Sequence, residues 1–228
     1  MRIAEIFYSI QGEGMLAGLP SVFVRTSGCN LRCSWCDTPY TSWKPEGEEW
    51  NLEEILAEVK KYPCRNVVVT GGEPLLARGI EELTQRLRES GHHITVETAA
   101  TIFKPVSCDL LSMSPKLANS TPRRRQGGRF AKMHEARRLN LPVIRQFIRR
   151  YDYQLKFVVE RRTDLAEIEA VLSQLGRVER ERVLIMPQGR TPKSLGKKAP
   201  WIVDLCKASG FRYSPRLHID LFGNRRGT

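Results

Sequence analysis

The chain has 228 residues, 41% of them hydrophobic and 27% charged, an ordinary globular composition that can bury a core without disulfides. Its net charge of +12 favours anionic partners, yet no recognisable nucleic-acid module accompanies the excess, which gathers in "TPRRRQGGR", "RQFIRRYDY" and "GNRRGT". No run reaches the ~18 apolar residues of a membrane span and "MRIAEIFYSI" is no signal peptide, so a cytoplasmic protein with no membrane and no direct nucleic-acid partner is expected.

In chain order, strands are predicted over Ile3–Tyr8, Ser21–Arg25 and Asn66–Thr70. Further strands are predicted over His93–Glu97, Asp109–Met113, Gln154–Val159, Arg182–Met186 and Arg216–Ile219. Short apolar runs such as "VVVT" and "VLIM" read as strands buried on both faces of a parallel sheet. Between them, "NLEEILAEVKKY" opens with Asn51 and places Glu54 three residues on, close to a capping box, with Leu52, Ile55, Leu56 and Val59 at helical spacing. "IEELTQRLRES" stops at Gly91, "TDLAEIEAVLSQLG" runs from Thr163 to Gly176, and a last helix is predicted over 191–210, ending at Gly210. The polar stretch 117–130 reads as a mobile loop. This alternation predicts an α/β fold, and the length favours an open, partial (β/α) barrel of about six core parallel strands in a single domain, 1–228. Functional residues then belong at the C-terminal strand ends and in the loops that follow.

The densest chemistry is "CNLRCSWC", where Cys29, Cys33 and Cys36 fall in a C-x3-C-x2-C spacing. Thiolates are soft ligands that suit zinc or iron–sulfur clusters. A structural zinc site wants four ligands, and no second knuckle follows. Cys108 and Cys206 sit in apolar contexts and read as small core residues, while Cys64, just before a strand, is the remaining candidate for a fourth ligand. His92 and His93 adjoin a strand start, His134 falls in a helix, and His218 alone stands near an expected site mouth. Three cysteines on a four-iron cluster would leave one iron open to an exogenous ligand.

Cysteines so spaced at the end of a strand ("SVFVRTSGC") resemble those of the radical S-adenosylmethionine superfamily. The resemblance implies a partial barrel of the radical SAM type, a 4Fe-4S cluster on the three cysteines, and S-adenosyl-L-methionine bound to the open iron through its amino and carboxylate groups. Reductive cleavage of the sulfonium then gives a 5′-deoxyadenosyl radical that takes hydrogen from the substrate. "TGGEP" resembles the motif whose backbone carbonyls receive the methionine amino group, with Glu73 beside Gly72 as an acceptor for an ammonium. The same resemblance places Ser34, Trp35, Glu97, Ser114, Pro115, Lys116 and Gln188 at the cofactor. Trp35 would pack beside the adenine, or else be an ordinary core aromatic.

"SIQGEG", "FVRTSGCNLRC", "CDT", "TGGEP", "SPK", "LKFVV" and "PRLHIDLFGN" together resemble the 7-carboxy-7-deazaguanine synthase family, from residue 5 to the C-terminus. The resemblance implies a lyase of queuosine and 7-deazapurine biosynthesis that contracts 6-carboxy-5,6,7,8-tetrahydropterin to 7-carboxy-7-deazaguanine, releases ammonia and uses magnesium. It also implies a homodimer and a flavodoxin-type electron donor. Against that flat, carboxylated substrate, Gln11 and the Ile10–Gly12 backbone can pair with the amide edge, and Glu13 can accept from its N–H groups. Arg25 can fork onto the carboxylate, Thr70 borders the same pocket, and His218 either completes it or is a satisfied structural histidine. The resemblance makes the hard oxygen of Thr38 the magnesium ligand, with Asp37 as competitor. "ETAAT" departs from the family pattern, having alanine where a glycine is expected before the second threonine. A glycyl-radical activating enzyme shares the cysteine spacing, and a zinc-stabilised, basic RNA-binding module is the non-enzymatic alternative.

Overall fold

The computed structural model describes residues 1–228. The chain builds β1 (Arg2–Ile10), β2 (Pro20–Thr26), α1 (Pro39–Ser42), β3 (Glu48–Glu49), α2 (Leu52–Lys60), β4 (Asn66–Gly71), α3 (Ile80–Glu89), β5 (His93–Thr98) and β6 (Leu110–Met113). It continues through α4 (Ala131–Arg137), α5 (Leu141–Arg150), β7 (Tyr153–Val159), α6 (Asp164–Leu175), β8 (Val183–Pro187), α7 (Pro192–Ser209), β9 (Arg212–Tyr213) and α8 (Leu217–Phe222). All strands join one open sheet in the order β3-β1-β2-β4-β5-β6-β7-β8-β9. From β2 to β8 lie the six expected parallel strands, continued by short parallel β9, with β1 antiparallel on the flank of β2.

Burial explains why these runs are strands. All seven residues of β7 and all five of β8 are buried, as expected for strands covered on both faces. Their outward side chains join Val67, Val69, Ile94, Val96, Leu111 and Met113 in a core of 35 buried residues, packed under the apolar faces of α2, α3, α5 and α6. Asn51 and Glu54 form the capping box their spacing predicts, the Asn51 side chain accepting from the Glu54 N–H and Glu54 from the Asn51 N–H. No helix is long and apolar enough to cross a membrane.

Three expectations change. Arg216–Ile219 is not a strand: Leu217–Phe222 is helical, so α8 follows α7 as the last helix. The alternation of Leu217, Ile219 and Leu221 mimics a strand, but this segment meets no sheet edge and instead hydrogen-bonds its Leu217 N–H to Gly12 O at 2.9 Å. Residues 117–130 are not a loose loop either. They contain 3-10 turns at Ala118–Ser120 and Arg125–Gly128, and Ser120 and Thr121 are buried. Helix α5, which carries Leu141, Ile144, Phe147 and Ile148 on one face, was masked by its arginines. Replacing fully buried Phe157 by Ala should lower unfolding free energy by about 3–5 kcal/mol, whereas Asn51→Ala should cost about 1 kcal/mol; urea denaturation checks both.

Candidate active site

The C-terminal ends of the parallel strands surround a cavity of about 470 Å³. Parallel pairing sets Arg25 beside Thr70 and Glu97 beside Ser112 at its floor. The cysteine loop leaves β2 and forms one wall. Leu31 and Cys33 are buried against Ala99, with Cys29 and Cys36 packed on the same cluster.

Two distant segments hold that loop. On one side, Gly28 N–H donates to Thr41 O at 2.9 Å and Trp43 Nε1–H to Cys33 O at 3.0 Å. On the other, Ser34 N–H donates to Ser120 O at 2.8 Å, Arg125 donates to Ser34 O at 3.1 Å, and Trp35 Nε1–H reaches Asn119 O at 3.2 Å. Asn119, Ser120 and Arg125 thus bond the cysteine loop, while Ala118 N–H, the Asn119 amide and the Thr121 hydroxyl bond Glu167, Asp164 and Glu135, which is why the segment is ordered. His134, wholly buried on α4, completes the grip. Its Nδ1 accepts from Arg32 N–H at 3.1 Å, so the proton sits on Nε2, facing Ser120 Oγ at 2.9 Å. Ser120 Oγ in turn donates to Leu117 O at 2.6 Å. Burial pushes this imidazole down to about 4.

All three cysteines line the cavity. Burial pushes the Cys29 thiol up to about 12 and the Cys33 thiol higher still, so thiolates persist here only beside a cation, which a metal supplies. The other cysteines lie elsewhere: Cys64 donates to Pro20 O at the opposite end of the sheet, Cys206 is in α7 and Cys108 precedes β6. Cys29, Cys33 and Cys36 are the only cysteines in the cavity lining, three soft donors without a fourth. Soft donors spread along one cavity wall fit a multi-iron cluster.

The facing wall is polar. The loop after β1 is drawn onto the sheet by Gln154, which accepts from Met15 N–H at 2.8 Å and donates to Ser112 Oγ at 2.6 Å. Gln11 donates to Glu97 at 3.2 Å and accepts from Glu13 N–H, while Thr70 donates to the other Glu97 oxygen at 2.8 Å. Gly12 touches His218 so closely that a Cβ there would lie 1.9 Å from Nδ1. Arg25 gives its Nε–H to Glu5 at 2.7 Å and lies over Phe7, leaving the terminal nitrogens of its fork for the cavity.

At the centre is a buried ion network. Lys156, 4% exposed in the middle of β7, contacts Glu13 Oε2 at 2.5 Å and lies 4.0 Å from Glu97. Arg216 holds Glu13 Oε1 at 3.0 Å, Gly189 O at 2.5 Å and the Asp37 carboxylate. Burial pushes Glu13 up, but Lys156 and Arg216 outweigh it and hold the carboxyl far below its usual range. Burial lowers His218 more than Glu13 raises it, which leaves the ring neutral near pH 7.

Ile10, Gln11, Gly12, Glu13, Arg25, Thr70 and His218, expected at a substrate, all line the cavity. So do Trp35, Thr38, Gly72, Glu97, Ser114, Lys116 and Gln188. Ser34, Glu73 and Pro115 do not. Glu73, 1% exposed, is turned inward: it accepts from Thr98 Oγ1 at 2.7 Å, Ala99 N–H at 2.9 Å and Leu75 N–H at 3.2 Å, and so ties β4 to β5 rather than facing an ammonium. Lys116 Nζ donates to Ser114 Oγ at 2.7 Å and sits 6.0 Å above the Trp35 ring. Thr38 makes no side-chain cap to α1, whereas the Asp37 carboxylate is occupied by Arg216. Lys156 and Arg216 went unpredicted. A lone lysine inside an otherwise uncharged buried strand was the available signal for the first; the second was concealed by the mistaken strand.

Strand ends that converge on three cysteines in an open parallel sheet define a radical-enzyme scaffold, and the Radical SAM superfamily model matches residues 23–143. The chain belongs to that superfamily. It is 48% identical over its whole length to the 7-carboxy-7-deazaguanine synthase of Rhodopirellula baltica, covering 89% of that protein. It is 45% identical to the one from Halobacterium salinarum, over 98% of this chain and 91% of the relative. The fold resembles the crystal structure of QueE from Escherichia coli, with TM-score 0.69 and 24% identity over 95% of this chain and 94% of that one. The chain is a member of the 7-carboxy-7-deazaguanine synthase family.

The His134 grip has a pH signature. The unfolded ring takes a proton near 6.5 but the folded ring resists it down to about 4. Stability is therefore unaffected above pH 6.5 and falls as pH drops from 6.5 towards 4, by about 3 kcal/mol. His134→Gln keeps an acceptor and a donor without titrating, so urea midpoints measured across that range should slope less in the variant than in the wild type.

Proposed function

We propose that this enzyme converts 6-carboxy-5,6,7,8-tetrahydropterin to 7-carboxy-7-deazaguanine with release of ammonia, as a step of queuosine or other 7-deazapurine synthesis. Supporting this reading, one cavity joins three cysteines to a polar wall suited to a flat, carboxylated heterocycle. When bound, the cluster with S-adenosyl-L-methionine supplies the one-electron chemistry that removes and returns a substrate hydrogen.

The protein's part is orientation and charge. Gln11 and the Ile10–Gly12 backbone address the amide edge of the pterin. Glu13, kept ionised by Lys156 and Arg216, accepts from its N–H groups. The free end of the Arg25 fork meets the substrate carboxylate. Glu97 fixes Gln11 and Thr70, and neutral His218 offers a ring nitrogen at the same pocket. Trp35, Ser114, Lys116, Gln188 and the Gly72 backbone receive the nucleoside and methionine parts of the cofactor. Magnesium binds the Thr38 hydroxyl, a role favoured by the engagement of Asp37 with Arg216. The protein works as a single cytoplasmic domain in a homodimer, reduced by a flavodoxin-type donor that the basic surface would attract.

Anaerobically reconstituted protein given dithionite, S-adenosyl-L-methionine, magnesium and the carboxylated tetrahydropterin should yield the deazaguanine by mass spectrometry, and Cys33→Ala should yield none. Cofactor cleavage without deazapurine would retain the radical chemistry and refute the substrate. Lys156→Met should raise KM for the pterin at least about tenfold, since it leaves a buried carboxylate short of a partner; an unchanged KM would remove Glu13 from substrate binding.

A further inference from the structure

Three successive residues at the end of α1 each hold a different part of the cysteine loop. Thr41 O receives Gly28 N–H at the loop's start, and Trp43 Nε1–H reaches the carbonyl of Cys33. Between them stands Ser42, 2% exposed, with its Oγ 3.1 Å from Cys36 Sγ. Its neighbour Thr41 returns its hydroxyl to Thr38 O at 2.9 Å, an ordinary local bond. Ser42 makes no such bond, and the sulfur is the sole partner of its hydroxyl.

The direction of this contact follows from the chemistry of a metal ligand. A coordinating cysteine has lost its proton, so its sulfur can only accept, and Ser42 is then the donor. Cys29 Sγ receives a backbone N–H, from Leu31 at 3.4 Å, which no side-chain substitution removes. Cys36 Sγ has Ser42 Oγ at 3.1 Å and Thr38 Oγ1 farther off at 3.8 Å, so Ser42 is the closer side-chain donor on the cysteine sulfurs. Donors to cluster sulfurs favour the reduced, more negative state and raise the reduction potential. We propose that Ser42 tunes the potential of the cluster by donating its hydroxyl to Cys36, making the cluster easier to reduce.

The inference rests on Cys29, Cys33 and Cys36 carrying a four-iron cluster, which iron content and the electron paramagnetic resonance signal of reduced wild-type protein report independently; absence of both would overturn that reading itself. The test is a redox titration, followed by that signal, of the reconstituted full chain and its Ser42→Ala, Ser42→Val and Ser42→Thr variants. With iron content equal to wild type, the Ala and Val proteins should show about a tenfold lower reduced-to-oxidised ratio at the wild-type midpoint, a shift of about 59 mV to more negative potential for one electron. Thr, which keeps the hydroxyl on the shape of Val, should stay near wild type. Equal midpoints for Ala and wild type, or for Thr and Val, would overturn the proposal. Loss of iron from Ala and Val but not Thr would also overturn it, because the hydroxyl would then build the site rather than tune it. Loss of iron from all three would assign Ser42 to packing alone.

Discussion

One guanidinium holds the working face of this protein together. Arg216, just before α8, binds Glu13 in the loop after β1, Asp37 beside the third cysteine and the carbonyl of Gly189 beyond β8. A buried arginine is costly to desolvate and stays charged, so each of these partners is needed and each loop is fixed by the need. Lys156 applies the same constraint from below, reaching Glu13 and Glu97 from a strand with no other charge. The pocket's shape thus follows from pairing charges that the sheet has already buried.

Around that network the cavity divides by chemical hardness. Its thiol wall is soft; the opposite wall offers carboxylates, amides and a neutral imidazole. The glycines where the walls meet serve chain packing as much as ligand access. Gly72 lies against the Gly28 and Thr41 carbonyls, where a Cβ would come within 2.2 Å of the first. Ala100, in the segment where a glycine was expected, does adopt a positive φ of 54°, which costs an L-residue about 1 kcal/mol. A Thr98 Oγ1 bond to its N–H helps hold it there.

Much of this was legible in the residues. Buried parallel strands announce themselves as uninterrupted apolar runs, and the cysteine spacing marks its own strand end. What escaped was information carried by partners. Residues 117–130 look unstructured alone because their hydrogen bonds go to residues 34–35 and to Glu135, Asp164 and Glu167, and nothing local reveals recipients up to about ninety positions away. Leu217–Phe222 is too short for its period to distinguish helix from strand. Glu73 showed its charge but not its orientation, since three inward donors decide that. Arg216 was readable as a residue but not as a hub.

The grip on the cysteine loop also orders events in time. Arg32 meets His134 across 102 residues of chain, and Ser34 meets Arg125 across 91. Such distant contacts close late, after the intervening β4, β5 and β6 have been made and paired. During synthesis the loop emerges early with only its near-side support from Thr41 and Trp43. The mould that holds its thiols is finished only when α4 has left the ribosome and docked, so the loop gains its far-side support well after its near-side one.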